Sequence, residues 1–588
     1  MTTKLDHIKA QLEYKQQRLE KANTILKTEF FGIDAAIDQV CANIRTWYIL
    51  ADFQERPIVV NLWGLTGVGK TSLVKRIMEL LDLNDSVYHF DMGNTQDESD
   101  TNILNIQKVI ESEDSKSPRV AIILDEFQHA RTLDEKRWES ETPETRLIWE
   151  LLDTGIISKL KEDKNEDKTL NLSKAIIFVI GNLDGAYQMV DNLNSEIHAD
   201  YFHALSLKIT LPKIKKALAN LFRNEQISRL GNNHIIYPAL SSVAYKQIIA
   251  KELKQITNKL VLYSGIQFHL DDSLEHLIYK EGVFPSQGAR PIFTTVNTIL
   301  KSQIPNIISE VLKLDIAIHN IDLKVENSKL VAHYKHGAKI VSTKSFDVHL
   351  VLENLRVNTF DDIQAVVAVH ESGHAIISTF LLNEIPEHVH SKSADEFPGF
   401  VLSLPECDFH YKKEIFNRVA MYLGGMAAEE LVFGKDYVTS GSTKDISNAT
   451  SFLTNMYKLS GLGDSPLRYD SSDVRNNAYH NVITVEKQIK ETVEKALELA
   501  KTTLNREMKL LLVLADYLCK HPQIEKEDLK AMIIQYGVSK IDFETDKTKF
   551  YYLETLQSKV RSITADEMQI TKAGRDLNRS ATKITLAT

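Results

Sequence analysis

Gly64-Leu65-Thr66-Gly67-Val68-Gly69-Lys70-Thr71 decides how the first half of this chain folds. It follows the apolar run Ile58 to Leu62 and opens a helical pattern at Thr71, so it reads as a glycine-rich turn from strand to helix, of the form G-x-x-x-x-G-K-[ST]. Gly64, Gly67 and Gly69 let backbone N–H groups turn inward around an anion, and the helix N-terminus adds partial positive charge. Lys70 is placed to reach terminal phosphates and Thr71 to offer a hydroxyl to Mg2+. Further runs, Val87 to Phe90, Val120 to Leu124 and Ala175 to Ile180, alternate with helical segments, the rhythm of a parallel sheet wrapped by helices. The second of these ends in Asp125-Glu126: Asp125 suits a Mg2+ shell, and Glu126 suits activating the water that attacks a terminal phosphate.

A second stretch, Ala365-Val366-Val367-Ala368-Val369-His370-Glu371-Ser372-Gly373-His374-Ala375-Ile376-Ile377, is apolar but for two histidines and the acidic and small residues between them. Positions i and i+4 share a helix face, so His370 and His374 can point two imidazoles at one ion, with Glu371 beside it as general base. That is the H-E-x-x-H pattern of zinc hydrolases, and it implies Zn2+. Gly373 costs about 1 kcal/mol in a helix interior relative to Ala, which predicts a close approach to the backbone there. A catalytic zinc takes a third protein ligand, and by chemistry alone Glu429, Glu430, Asp436 and Asp445 all qualify.

The 588 residues are sufficient for three or four domains. A composition of 43% hydrophobic and 26% charged residues with a formal charge of −10 is that of a globular protein, and it argues against nucleic acid as partner. The three cysteines, Cys41, Cys407 and Cys519, have no metal or redox spacing, which points to reduced thiols and a cytoplasmic location. No uninterrupted apolar run approaches bilayer length, so no integral membrane segment is expected.

From about Phe30 to about Asn320 the chain resembles the AAA+ ATPases, and within them the Clp/Hsp100 unfoldases, which implies ATP as the nucleotide. Phe30-Phe31-Gly32-Ile33-Asp34-Ala35-Ala36-Ile37 looks like the family's adenine-side entry segment. Asn182, in Ile180-Gly181-Asn182, falls where the family places its polar sensor of the terminal phosphate. Leu221 to Arg229 is similar to the arginine-finger segment, with Arg229 the first choice and Arg223 the second. Gly288-Ala289-Arg290-Pro291 resembles the second sensor on a small lid, with Arg290 on the nucleotide.

From about Asp362 to about Val538 the sequence resembles the peptidase domain of the FtsH family. The resemblance rests on His370 to His374, Leu423-Gly424-Gly425-Met426-Ala427-Ala428-Glu429-Glu430-Leu431-Val432-Phe433-Gly434, and Thr439-Ser440-Gly441-Ser442-Thr443-Lys444-Asp445. It selects Asp445 as third ligand, and it likens the short strand read at Glu396 to Pro405, with Gly399 to Pro405 as its apolar part, to an edge strand that receives substrate. The fold class expected is multidomain: an α/β AAA+ P-loop domain with a small helical lid, then a mainly α-helical peptidase domain. The expected boundaries are an N-terminal, solvated helix 1–27, a large α/β domain 28–235, a lid 236–335, a linker 336–360, the peptidase 361–545 and a tail 546–588.

The function implied is a soluble ATP-dependent zinc metalloprotease acting on polypeptide substrates as a homo-oligomeric ring, a hexamer. The alternative is a remodelling or signalling ATPase whose peptidase acts on one partner or serves as a scaffold. Threading ATPases of both families grip the polypeptide with an aromatic loop residue, whereas the corresponding stretch here, Asp91 to Asn102, holds no aromatic, and Trp138 stands as a substitute. FtsH-type proteases also carry membrane helices ahead of an ATPase of their own type, and the Clp-like ATPase here departs from that pattern.

Overall fold

The computed structural model describes residues 2–50, 54–93, 120–134, 136, 138–139, 143–157, 170–187, 198–355, 361–392, 399–402, 411–466, 468, 479–541, 554–559 and 561. The chain divides into two compact units, Met1–Arg356 and Val357–Thr588.

The first unit is built on a five-stranded parallel sheet. Its strands are β1 (Ile58–Trp63), β2 (Val87–Asp91), β3 (Ala121–Asp125), β4 (Ile176–Gly181) and β5 (His234–Ile236), in the order β2-β3-β4-β1-β5. Three of the runs read from the sequence become the inner strands β1, β3 and β4, because a parallel sheet covered on both faces buries nearly every position there, and β4 is buried along its whole length; Val87 to Phe90 becomes the edge strand β2. Helices α1 (Thr2–Glu29) and α2 (Asp34–Leu50) precede the sheet, and α3 (Lys70–Leu80) leaves β1 through the glycine loop. The expectation of a solvated N-terminal helix is corrected: Leu19, Ala22 and Leu26 are buried in the unit's core, and Glu29 at the end of α1 pairs with Arg76 at 2.7 Å.

The same unit continues with α4 (Ser242–Ser264), α5 (Asp272–Gly282), α6 (Arg290–Ile299) and α7 (Ile304–Leu312). The Ser241 hydroxyl accepts from Ala244 N and the Asp271 carboxylate from Ser273 N, so a side chain satisfies an orphan amide at the start of each of the first two helices. A four-stranded sheet follows, of β6 (Gln267–Leu270), β7 (Asn320–Glu326), β8 (Lys329–His336) and β9 (Lys339–Asp347), in the order β9-β8-β7-β6. Residues 336–360 were expected as a linker, and this is also corrected. The antiparallel pairing of β9 with β8 makes 339–347 part of the first unit's sheet.

The second unit is mainly helical. α8 (Asp362–Ile377) is its centre, flanked by α9 (Lys412–Tyr422), α10 (Gly424–Phe433), α11 (Thr443–Thr454), α12 (Tyr479–Arg506), α13 (Met508–Lys520) and α14 (Lys526–Tyr536). The Asp361 carboxylate accepts from Gln364 N at 2.9 Å and starts α8. Every residue from Val367 to Ile377 is buried, the condition of a helix surrounded by others. With the turn Ser378–Leu382, this helix reaches 21 residues and contains an 18-residue window of mean hydropathy 1.4, long and apolar enough to cross a membrane, although 78% of that window is buried inside the protein. An antiparallel sheet of β10 (His388–His390), β11 (Phe400–Leu402) and β12 (Gln523–Glu525), in the order β11-β10-β12, completes the unit. Of the expected edge strand, Phe400–Leu402 is present, while 396–398 and 403–405 lie outside the described residues.

The close approach expected at Gly373 is between α8 and α10. A Cβ on Gly373 would stand 2.3 Å from Gly424 O and 2.6 Å from Ala428 Cβ. Helix propensity alone favours Gly373→Ala by about 1 kcal/mol, whereas the steric conflict is with backbone, and overpacking of this kind costs about 1–3 kcal/mol. Denaturant titration of the second unit's transition should therefore show a net loss of stability in Gly373→Ala.

Candidate active sites

The nucleotide loop sits at the carboxyl ends of the parallel strands, where open α/β sheets bind ligands. Thr66, Gly67, Gly69, Lys70, Thr71, Asp125, Glu126, Asn182 and Arg290 all line one cavity there. Lys70 Nζ donates to Gly64 O (2.9 Å), Leu65 O (2.7 Å) and Asn182 Oδ1 (3.3 Å), and the Asn182 amide also donates to Thr66 Oγ1. Thr71 Oγ1 donates to Asp125 Oδ2 at 2.8 Å, so two oxygen donors of the kind Mg2+ prefers lie side by side. Burial would raise the Asp125 carboxyl, but hydrogen bonds from His89, Thr71 and the Glu126 amide outweigh it and hold it below the usual carboxylate range. Glu126 adopts φ 51°, a left-handed conformation uncommon for a non-glycine residue, and its carboxylate accepts from Gln128 Nε2.

The lid meets the loop through backbone. Ala289 N donates to Gly67 O at 3.0 Å, and a Cβ on Gly288 would fall 2.5 Å from Thr66 O. Arg290, one residue on, thereby enters the phosphate cavity. A cleft of about 680 Å³ opens alongside, lined by Phe30, Ile33, Leu240, Ile248 and Phe293 among others. Arg229 and Arg223 are not brought to this cavity: Arg229 Nε lies 3.7 Å from Asp153, and Arg223 pairs with Glu139 and Glu225. Of the stretch without aromatics, Asp91 to Gly93 are described and 94–102 lie outside the described residues. Trp138 is 71% exposed.

In the second unit His370, His374 and Asp445 bring their ligand atoms within 4.8 Å of one another. The separations are 3.0 Å from His370 Nε2 to Asp445 Oδ2, 3.1 Å between the two Nε2 atoms, and 3.5 Å from His374 Nε2 to Asp445 Oδ2. Tetrahedral zinc with bonds of about 2.0–2.1 Å has edges of about 3.4 Å, so the spacing fits. The proton inventory fits as well. His370 Nδ1 donates to Glu429 Oε1 at 2.6 Å and His374 Nδ1 to Met421 O at 2.8 Å, which turns both Nε2 atoms toward the Asp445 carboxylate, where a metal ion would displace any proton they carry. Three ligand atoms converging in a buried site call for a cation between them.

The carboxylates divide by place. Glu429 stands behind His370, and its other oxygen accepts from Thr439 N at 2.7 Å. Glu430 pairs with Lys501 at 2.8 Å, and Asp436 is exposed. Burial would lower the His370 imidazole, but its hydrogen bonds to Asp445 and Glu429 win and push it to about 10, while burial raises the Glu371 carboxyl to about 7. Burial also raises Asp445, yet both histidines pull it far below the usual range. Gly399, just before β11, would place a Cβ 2.8 Å from Glu371 Cγ, so the edge strand lies directly against the base.

Sequence reasoning left Glu429 among four candidate acids and did not single out His89, Gln128, Gly399 or Gly425. Glu429 and Gly425 were visible only as members of the motif Leu423 to Gly434.

Residues 359–532 match the family model described as Peptidase family M41, and residues 240–317 match that of the C-terminal, D2-small domain of ClpB protein. The chain is 29% identical over 216 residues to "ATP-dependent zinc metalloprotease FtsH 3" of Petrotoga mobilis, covering 32% of this chain and 33% of the relative. It is 30% identical over 185 residues to "ATP-dependent zinc metalloprotease FtsH" of Thermotoga maritima, covering 29% and 30%. It is 27% identical over 335 residues to "ATP-dependent zinc metalloprotease YME1L" of Drosophila melanogaster, covering 53% and 45%. The matches thus span less than half the length of these relatives.

Outer partners of metal-binding histidines are worth about 10–100-fold in metal affinity. Glu429→Gln should therefore lower zinc affinity by about that factor in a competition titration with a chromophoric chelator. Asp445→Ala should strip zinc, and Asp436→Ala should leave it bound.

Proposed function

We propose that this chain is an ATP-dependent zinc metallopeptidase, with ATP and Mg2+ on the first unit and Zn2+ on His370, His374 and Asp445 of the second. The observation that carries the reading is the convergence of those three residues' ligand atoms beside a buried Glu371. The curated relatives' names and the family M41 match support it.

Zinc, when bound, supplies Lewis acidity for peptide-bond hydrolysis. Glu371, raised toward neutral pH by burial, takes a proton from the attacking water at its carboxylate and returns it to the leaving amine. The Glu429 carboxylate holds the His370 ring and its tautomer, and β11 offers main-chain hydrogen-bonding groups to an extended peptide. In the first unit the loop amides and Lys70 hold the phosphates, Asn182 and Arg290 face the terminal group, and Glu126 orients water for its hydrolysis.

Casein incubated with wild type, Lys70→Ala and Glu371→Gln, with and without ATP, tests the assignment. Wild type should cleave only with ATP. Glu371→Gln should lose cleavage while keeping zinc and ATPase activity, and Lys70→Ala should lose both activities. Casein cleavage that survives Glu371→Gln would refute the peptidase reading. The second reading, a remodelling ATPase with a restricted peptidase, is favoured by the lack of aromatics between Asp91 and Asn102, and its signature is wild-type ATPase activity with intact casein.

The assembly proposed is a closed ring, a hexamer. Arg229 lies away from the cavity around Lys70, as a finger that completes a neighbour's site would. Arg229→Ala should keep nucleotide binding and lose hydrolysis. Mixing it with Glu126→Gln subunits should restore part of the ATPase rate, and an ATPase fully active as a dilute monomer would exclude the scheme.

A further inference from the structure

His89 lies on β2, the outermost strand on its side of the sheet, and its Nε2 is 3.2 Å from Asp125 Oδ2. An ionised carboxylate only accepts, so this contact fixes the proton on Nε2 and makes the imidazole the donor. Asp125 receives two further hydrogen bonds: Thr71 Oγ1 at 2.8 Å on the same oxygen, and its neighbour's amide, Glu126 N, at 3.0 Å on Oδ1. Of the two side-chain donors, the Thr71 hydroxyl is the one a cation at this site would itself engage. That leaves His89 as the side chain that sets the plane of the carboxylate once the cation is in place. His89 is about one-third exposed and lies at the edge of the sheet, so a shorter side chain there leaves space open to solvent rather than a closed cavity.

We propose that His89 is a positioning residue for the Mg2+ shell of the nucleotide site, acting through its Nε2–H on Asp125 Oδ2. The inference rests on the proposed ATPase reading and adds to it a residue outside the glycine loop and the acidic strand end. Outer partners of metal ligands typically contribute about 10–100-fold in metal affinity. The effect should therefore appear in how much Mg2+ tightens nucleotide binding, independently of turnover.

The test measures the affinity of the full chain for mant-ADP in EDTA and in Mg2+, by fluorescence, for wild type and three variants. His89→Ala should keep the EDTA affinity and lose about tenfold of the Mg2+-dependent tightening. His89→Gln carries an amide N–H close to where Nε2 stood and should restore most of it; His89→Asn carries its amide at the Nδ1 position and should not. Full tightening in His89→Ala, or rescue by Asn equal to that by Gln, would overturn the inference while leaving the ATPase reading intact. A wild type that shows no Mg2+-dependent nucleotide binding would overturn both.

Discussion

The backbone contact between Gly373 and Gly424 is the constraint from which the second unit's chemistry follows. Two helices meet there with no side chain between them, each glycine's missing Cβ leaving space that the other backbone fills. The approach brings Gly425 under the His370 ring, where a Cβ would lie 2.3 Å from Nε2, and carries Glu429 to the far side of the same imidazole. Glu429 then acts in two directions: one oxygen fixes His370, and the other accepts from Thr439 N at the start of the segment that leads to Asp445. A single buried carboxylate thus links the helix bearing two candidate ligands to the segment bearing the third. Burial would raise the Glu429 carboxyl, and the hydrogen bonds from His370 and Thr439 outweigh it and hold it below the usual carboxylate range.

The first unit uses glycine in the same way at a different place. Gly67 and Gly288, both at positive φ, let the lid backbone touch the phosphate loop, and the Ala289 to Gly67 hydrogen bond ties them. Arg290 follows immediately, so its entry into the phosphate cavity is set by main chain rather than by the reach of a long side chain. Lys70, Asn182 and Thr66 form one hydrogen-bonded set around the same space, and Thr71 with Asp125 forms another. A ligand with both phosphates and a divalent cation matches the two sets together.

What could be read in the sequence was what is encoded by short spacing. The glycine loop between strand and helix, the i and i+4 histidines and the two carboxylates ending β3 are local patterns; the structure groups Gly67, Gly69, Lys70, Thr71, Asp125 and Glu126 around one cavity, with Gly64 behind it as an acceptor for Lys70, and brings the two histidines to one cluster. The third ligand was different, because Glu429, Glu430, Asp436 and Asp445 separate only once the crossing of α8 and α10 is known, and Gly373 hinted at that crossing without naming its partner. His89 looked like one more residue in a strand, since its meaning lies across the sheet at Asp125. The helix α1 read as solvated because only a few of its residues, Leu19, Ala22 and Leu26 among them, face the core. Residues 339–347 read as linker for a related reason: β9 pairs along one edge only and exposes most of its side chains, so its polar sequence carries little apolar alternation.

The apolar character of Asp362 to Leu382 has a sufficient cause inside the second unit. A helix enclosed by α10, α13 and the small sheet must be apolar on every face that does not serve chemistry, which is also the composition of a membrane span. Beyond its exposed first residue, Asp362, the polar residues it carries, Gln364, His370, Glu371, Ser372, His374, Ser378 and Thr379, are all buried. In that low-dielectric surrounding the convergence of His370, His374 and Asp445 strongly favours a cation among them, whether a proton on Nε2 or a metal ion that displaces it. The same dryness raises the Glu371 carboxyl above the usual range. The residues that make the helix resemble a membrane span therefore also supply the conditions under which two histidines four residues apart, with a glutamate between them, can hold a metal ion beside a base.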